Sequence, residues 1–317
     1  MKQMPEIGFG LWKVSSDAAA DVVVEAVEAG YRHFDCAADY ANEAEVGEGL
    51  NRAMAEGLVT RDELWITSKL WNTFHHPDHV QVACQKSLDD LGLDYLDLYL
   101  VHFPIALEYV PIETRYPPEW LFDPGTDNPQ MKRAPVSLQD TWQAMEKLVD
   151  AGMVGKIGVC NYNSALIHDL MSYATVKPAV LQIEAHPYLT QEKLIRLAHQ
   201  YDIPVTAFSP LAALSYVEID MAGQADSVLT ETVVQETAAA HGKTPAQVVL
   251  RWATQRGTSI VPKSSNPQRM RENLAINDFS LSEDQMHAIS ALNANRRFND
   301  PGVFCEAAFG LFNPIYD

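Results

Sequence analysis

Seven short apolar runs, separated by amphipathic stretches, recur along the 317-residue chain, and this rhythm limits its possible folds more than any other feature. The runs are Tyr31–Asp35, Leu64–Lys69, Leu96–His102, Lys156–Asn161, Ala179–Glu184, Pro204–Ser209 and Ser259–Lys263. Near-continuous apolar character is what parallel strands covered on both faces require. Gly8–Trp12 is the candidate for an eighth strand, weakened by its two glycines. The stretches between them end as helices end. Asp17–Ala29 stops at Gly30, Leu138–Ala151 at Gly152, Thr230–His241 at Gly242 and Pro245–Arg256 at Gly257, each a glycine suited to a left-handed C-cap. Pro245 stands at a first helical position, and Ser282 and Gln285 have capping-box spacing.

Strands alternating with helices imply βαβ units and a parallel sheet. About eight such units without a linker favour an α/β fold of the (β/α)8 TIM-barrel type, with 1–317 as one domain. No G-x-G-x-x-G follows the first run, which argues against the open dinucleotide-binding sheet. Two segments break the rhythm. Phe103–Pro135 is a Pro- and Tyr-rich loop after the fourth strand, long enough to suggest function. The tail after Asn293 reads as an extended C-terminal loop.

Charge then narrows the partners. The formal net charge is -19, which argues against nucleic acid. A phosphate-bearing cofactor would need a local cluster of cations against that background. No apolar run approaches about 18 residues, so a membrane span is not expected. The N-terminus shows no apolar signal segment, and Cys36, Cys84, Cys160 and Cys305 are too scattered for a disulfide framework. The expected location is cytoplasmic.

In a barrel of this type catalytic groups sit at the carboxyl ends of the strands. The polar residues ending the runs are Asp35, Lys69, His102, Asn161, Gln182 or Glu184, Ser209 and Lys263, with Tyr40 just past the second strand. Tyr40, Lys69, Asp35 and His102 make a coherent acid. An ammonium beside a phenol favours tyrosinate and should lower its pKa. A carboxylate would hold that ammonium, and a histidine would orient the substrate oxygen or share its proton. The set suits protonation of an oxygen that becomes an alkoxide, with hydride borrowed from a nicotinamide. Taken singly, each residue has a structural explanation; joint occurrence at successive strand ends carries the functional one. His75, His76 and His79 are irregularly spaced, and no metal is expected.

The segments GFGLWKV, HFDCAADYANEAEVGEGL, LWITSKLWNTFHHPDHV, LDYLDLYLVHFP, GKIGVCNYN, QIEAHPYL, AFSPL and VPKSSNPQRMREN resemble the aldo-keto reductase family, in the family's order and across nearly the whole chain. HFPIALEYVPIETRYPPEW and RRFNDP resemble its xylose (aldose) reductase branch. The resemblance implies the tetrad Asp35, Tyr40, Lys69 and His102, with Tyr40 as proton donor. It implies an NADPH site, with NADH as a second cofactor. Trp12 and Lys13 would flank that cofactor, and Cys160, Asn161 and Gln182 would hold the nicotinamide amide. Phe208 would stack on the ring, and Ser209 and Leu211 would line the pyrophosphate path. Lys263, Ser264, Ser265 and Arg269 would grip the 2'-phosphate, and Glu272 and Asn273 would reach the adenine. Cys160 replaces the usual serine, and a thiol is the weaker donor. Asn266 and Arg271 stand where the family varies, which leaves the preference for NADPH over NADH open.

For the substrate, the resemblance points to Trp12, Asp39, Phe103 and Asn299 and to a xylose-like aldose reduced to its alditol. Three alternatives stand beside it: a sugar-6-phosphate reductase using Arg32, Arg115 or Arg133, a general aldehyde reductase, and a nicotinamide-binding regulatory subunit. Relatives with this tail are often dimers, which admits a homodimer.

Overall fold

The computed structural model describes residues 2–127, 129–223, 226–309 and 312–316. Eight strands alternate with helices: β1 (Phe9–Gly10), β2 (His33–Asp35), β3 (Trp65–Leu70), β4 (Leu98–Val101), β5 (Ile157–Cys160), β6 (Leu181–Glu184), β7 (Val205–Phe208) and β8 (Thr258–Ile260). They hydrogen-bond in chain order, the topology of a (β/α)8 TIM barrel. The helices are α1 (Ser16–Ala29), α2 (Glu43–Ala55), α3 (Pro77–Leu91), α4 (Leu138–Asp150), α5 (Ser164–Tyr173), α6 (Glu192–Gln200), α7 (Thr232–His241), α8 (Pro245–Gln255), α9 (Pro267–Leu274), α10 (Glu283–Ser290) and α11 (Pro301–Phe309). Among the described residues no helix is long and apolar enough to cross a membrane.

The chain divides into two compact units. The first comprises Met1–Gly10, Glu25–Phe34 and Gln182–Phe298; the second comprises Leu11–Val24, Asp35–Leu181 and Asn299–Asp317. In the first unit β7 and β8 pair in parallel, Val205 opposite Thr258. Ile7 bridges Ile260, and Gly10 N donates to Pro262 O at 3.0 Å. The two glycines that weaken the first strand as a sequence are needed there. A Cβ on Gly8 would stand 2.6 Å from His33 Nδ1, and one on Gly10 2.7 Å from Val261 O. In the second unit β3, β4 and β5 run parallel in register, and all six residues of β3 are buried.

Helix ends follow the residues. Gly30, Gly152, Gly242 and Gly257 all have positive φ, and the capping box at Ser282 and Gln285 is formed. Except for β3, which matches its run in length and lies one residue later, the strands are shorter than the apolar runs. β8 stops at Ile260 instead of reaching Lys263, because Pro262 has no N–H to extend the ladder. Phe103–Pro135 is a loop, as expected, ordered by Leu107 N to Asn72 O at 2.9 Å and by an antiparallel bridge between Leu107 and Arg133. The tail differs from expectation: within it Pro301–Phe309 is a helix. Asp300 Oδ1 accepts from Gly302 N at 2.8 Å, and Pro301 opens the first turn, where a missing N–H is harmless.

Candidate active site

The second unit gathers the proposed acid. Lys69, next to last in β3, is wholly buried, and its ammonium donates to Asp35 Oδ2 at 2.8 Å, Cys36 O at 2.8 Å and Tyr40 Oη at 3.0 Å. An ammonium has three hydrogens, so these acceptors use all of them. Asp35 ends β2, and Tyr40 sits in a short 3-10 turn at Ala38–Tyr40. Because the phenol oxygen accepts from Lys69, its own hydrogen points elsewhere and is free to be donated.

Acidity differs from the sequence expectation. Burial pushes the Tyr40 phenol above its ordinary value, and Lys69 only partly offsets this. The hydroxyl therefore stays protonated at neutral pH, the form a proton donor needs. Burial pulls Lys69 down, but the carboxylate of Asp35 outweighs it and the net shift is upward. His102 follows β4, its ring 5.9 Å from that of Tyr40 in an edge-on arrangement. Burial, and secondarily Lys69, hold it well below the usual histidine range. The neutral ring has one N–H to direct at an oxygen and is not a cationic acid.

Around His102 lies an aromatic wall of which the sequence singled out only Phe103. Trp71 stands edge-on to His102 at 5.3 Å, Phe103 stacks on it at 5.0 Å, and Trp120 packs against Trp71 at 4.9 Å and Phe103 at 5.1 Å. Trp71 Nε1 donates to Glu119 O at 2.9 Å, which fixes the long loop against β3. The available signal was a tryptophan two residues beyond Lys69 and another inside a loop already suspected of function. Phe103 is buried, while Asn299 and Trp12 are half-buried. Lys13 has φ 62° and lays its ammonium over the Trp12 ring at 4.9 Å. Asp39 has one buried carboxylate oxygen, Oδ1, without a protein partner. Burial, then Glu119, raise this carboxyl well above the usual range.

Asn161, just past β5, is also left-handed (φ 62°). Its Nδ2 donates to His102 O at 2.8 Å and lies 3.2 Å from Cys160 Sγ. Burial raises the Cys160 thiol, which stays neutral.

In the first unit, Gln182 lies buried in β6. Of the pair left open at this strand end, Glu184 is wholly buried and engaged, with Oε1 2.9 Å from His186 Nε2 and accepting from Phe298 N at 2.9 Å. Phe208 ends β7, half-buried. Ser209 has φ 47° and its hydroxyl is 3.0 Å from that of Tyr216; Leu211 follows in the turn. Positive φ at Lys13, Asn161 and Ser209 is strain of a kind concentrated at functional sites.

Before and along α9, Ser264 Oγ accepts from Asn266 N at 3.1 Å, and Asn266 caps the helix by accepting from Arg269 N at 3.0 Å. Ser265 and Arg269 are exposed and Lys263 is half-buried. Among the described residues neither Lys263 nor Arg269 has a carboxylate partner, in a chain of net charge -19. Two unneutralised cations beside a helix N-terminus are a donor set that fits a phosphate. Glu272 accepts from Gln268 Nε2 at 2.8 Å. Asn273 is buried, and the Tyr31 hydroxyl donates to Met270 O at 3.2 Å.

The three arginines weighed for a substrate phosphate and the histidines of the Trp71–His79 stretch lie in other surroundings. Arg32 donates to Val27 O and Tyr31 O, Arg115 to Pro118 O and Leu121 O, and Arg133 to Phe312 O. His79 stacks on Tyr109 at 3.7 Å, while burial pulls the enclosed His75 down to about 3.

The aldo/keto reductase family profile matches residues 6–294. The chain is an aldo-keto reductase. It is 47% identical over 315 residues to the NAD(P)H-dependent D-xylose reductase xyl1 of Aspergillus niger, covering 99% of this chain and 96% of that one. It is 50% identical over 300 residues to the Aspergillus fumigatus protein named "Probable NAD(P)H-dependent D-xylose reductase xyl1", covering 94% of each. The structure of the aldose reductase from Schistosoma japonicum matches with a TM-score of 0.83 at 40% identity, over 93% of this aldo-keto reductase and 91% of that chain.

Proposed function

We propose that this aldo-keto reductase is an NADPH-dependent aldose reductase that reduces the open-chain aldehyde of a xylose-like sugar to its alditol, with 1–317 acting as one catalytic domain. The observation that carries the proposal is the buried Lys69 ammonium, saturated by Asp35, Cys36 and Tyr40, which leaves the phenol hydrogen as the available acid. The nicotinamide, when bound, supplies the hydride. Tyr40 gives its proton to the carbonyl oxygen as the alkoxide develops, and Lys69 stabilises the tyrosinate left behind. Asp35 keeps the ammonium in place. Neutral His102 directs a ring N–H toward the same oxygen. The aromatic wall of Trp71, Phe103 and Trp120 excludes water, which strengthens each of these interactions.

Cys160, Asn161 and Gln182 would hold the carboxamide, Trp12, Lys13, Phe208, Ser209 and Leu211 would line the cofactor, and Lys263, Ser264, Ser265 and Arg269 would take the 2'-phosphate. Glu272 and Asn273 would face the adenine. NADH is the weaker, second cofactor. Asp39, Trp12, Phe103 and Asn299 would bind the sugar; the unpartnered Asp39 oxygen would accept from a hydroxyl. A phosphorylated sugar would need Arg32, Arg115 or Arg133, each of which has one terminal nitrogen already committed to backbone carbonyls. The assembled acid disfavours a purely regulatory subunit. The resemblance of its tail to the xylose reductase branch implies a homodimer, and the enzyme would act in the cytoplasm.

The test follows NADPH oxidation at saturating cofactor with xylose, hexoses, mannose 6-phosphate and aromatic aldehydes. Xylose should lead in kcat/KM. Preference for the sugar phosphate, or aromatic aldehydes far ahead of every sugar, would overturn the substrate assignment.

A further inference from the structure

The last described residues of the tail reach Asn161. Tyr316 Oη donates to Asn161 Oδ1 at 3.2 Å and lies 3.4 Å from Asn161 O. On the other side of the same amide, Nδ2 donates to His102 O at 2.8 Å. The two ends of the amide therefore have opposite partners. Rotating it by half a turn would set a carbonyl oxygen against another carbonyl oxygen and lose the bond to His102, so His102 O selects the orientation and the Tyr316 hydroxyl anchors its other end. The tail is tied down beside it: Asn163, which caps α5 through Oδ1, donates from Nδ2 to Ile315 O at 3.3 Å, and Arg133 holds Phe312 O at 3.3 Å.

We propose that Tyr316 is a positioning residue for cofactor recognition: its hydroxyl anchors the Oδ1 end of the Asn161 amide, whose Nδ2 end His102 O holds, and so keeps that amide in place for the nicotinamide carboxamide. This rests on the assignment of Asn161 to that carboxamide. A ring of the same size without the hydroxyl would leave the tail packed and the amide held at its Nδ2 end alone, by His102 O.

The variants are Tyr316→Phe, Asn161→Gly (glycine keeps the left-handed backbone) and the double substitution, with folding checked by thermal melting. Each is titrated with NADPH and, separately, with 2'-phospho-ADP-ribose, which lacks the nicotinamide. Tyr316→Phe should weaken NADPH binding about 3- to 10-fold, the weight of one neutral hydrogen bond. It should leave 2'-phospho-ADP-ribose binding unchanged and have no further effect in the Asn161→Gly background. Equal weakening of both ligands would mean a merely structural tail and overturn the proposal. So would an unchanged NADPH affinity in Tyr316→Phe while Asn161→Gly weakens it. If Asn161→Gly binds NADPH normally, the carboxamide assignment itself fails and takes the proposal with it.

Discussion

Two lysines, Lys69 and Lys263, define two regions built on opposite plans. Lys69 is wholly buried and its three hydrogens are all accepted within the second unit. Lys263, in the first unit, is half-buried beside an exposed Arg269, and neither meets a carboxylate among the described residues. A saturated constellation cannot be improved by a ligand; it is organised before the reaction, as electrostatic catalysis requires. An unsaturated pair of cations gains only when an anion arrives. Substitutions in the first region should therefore act on turnover and folding, and those in the second on cofactor affinity alone.

The largest effect should come from Tyr40→Phe. Removing the proton donor should lower kcat by about 10²- to 10⁴-fold with NADPH affinity nearly unchanged, read by steady-state kinetics beside a binding titration. A variant that keeps full turnover would remove the phenol from the mechanism. Lys69→Met should be inactive as well, and it strands Asp35 as a buried charge without its ammonium. Loss of one partner from such a pair costs about 3–5 kcal/mol, so denaturant melts should separate it from Tyr40→Phe, which leaves the ion pair intact.

Next, Glu43 tests how tightly the second unit's interior is organised. It accepts from Ser68 Oγ at 2.5 Å and Ser87 Oγ at 2.8 Å, and burial raises its carboxyl to about 7 despite these bonds. The native state thus holds a proton that the unfolded chain releases near the ordinary value of 4.5. This contribution to stability is complete below about pH 4.5 and falls as pH rises to about 7, by about 3 kcal/mol. His75 works the other way: lowered to about 3, it costs stability as pH falls from about 6.5 toward 3. The two oppose each other in the wild type, so the informative quantity is the difference between Glu43→Gln and wild type. That difference should grow in the variant's favour from pH 5 to pH 8 in urea melts. A flat difference would mean that Glu43 titrates normally.

The contrast between the regions also explains what could be read without coordinates. Asp35, Lys69 and His102 were legible because strand ends are set by local pattern and a barrel assigns meaning to them. That burial outweighs the ammonium at Tyr40 was not, since it depends on how much of the chain surrounds the ring. Trp120 met Trp71 and Phe103 only through the folding back of a loop, a contact with no sequence period, whereas Trp71 meets His102 because β3 pairs with β4. Asp300-Pro301, a helix-start signal, was present but hidden in a tail that looked irregular. The Lys263–Arg269 cluster was visible because cations stand out in an acidic chain, whereas the early end of β8 turned on Pro262, whose effect appears only once a ladder is drawn.

A smaller, sharper test concerns that open cluster. Arg269→Ala should weaken NADPH by about 10- to 100-fold, the range for a hydrogen bond to a charged group, while NADH, which lacks the 2'-phosphate, should change little. Stability should hardly move, because Arg269 is exposed and leaves no buried partner behind. Equal losses for both cofactors would mean that Arg269 shapes the α9 cap at Asn266 rather than reading phosphate.

The smallest expected change separates binding from catalysis within the second unit. Cys160 is buried, raised and neutral, with Asn161 Nδ2 3.2 Å from its sulfur. A hydroxyl is a stronger donor and acceptor than a thiol. Cys160→Ser should therefore tighten NADPH about 2- to 5-fold, a fraction of one hydrogen bond, and leave the Tyr40-dependent kcat within about twofold. If kcat fell together with affinity, Cys160 would belong to the saturated constellation around Lys69, and the boundary drawn between organised catalysis and waiting cofactor contacts would have to move one residue inward.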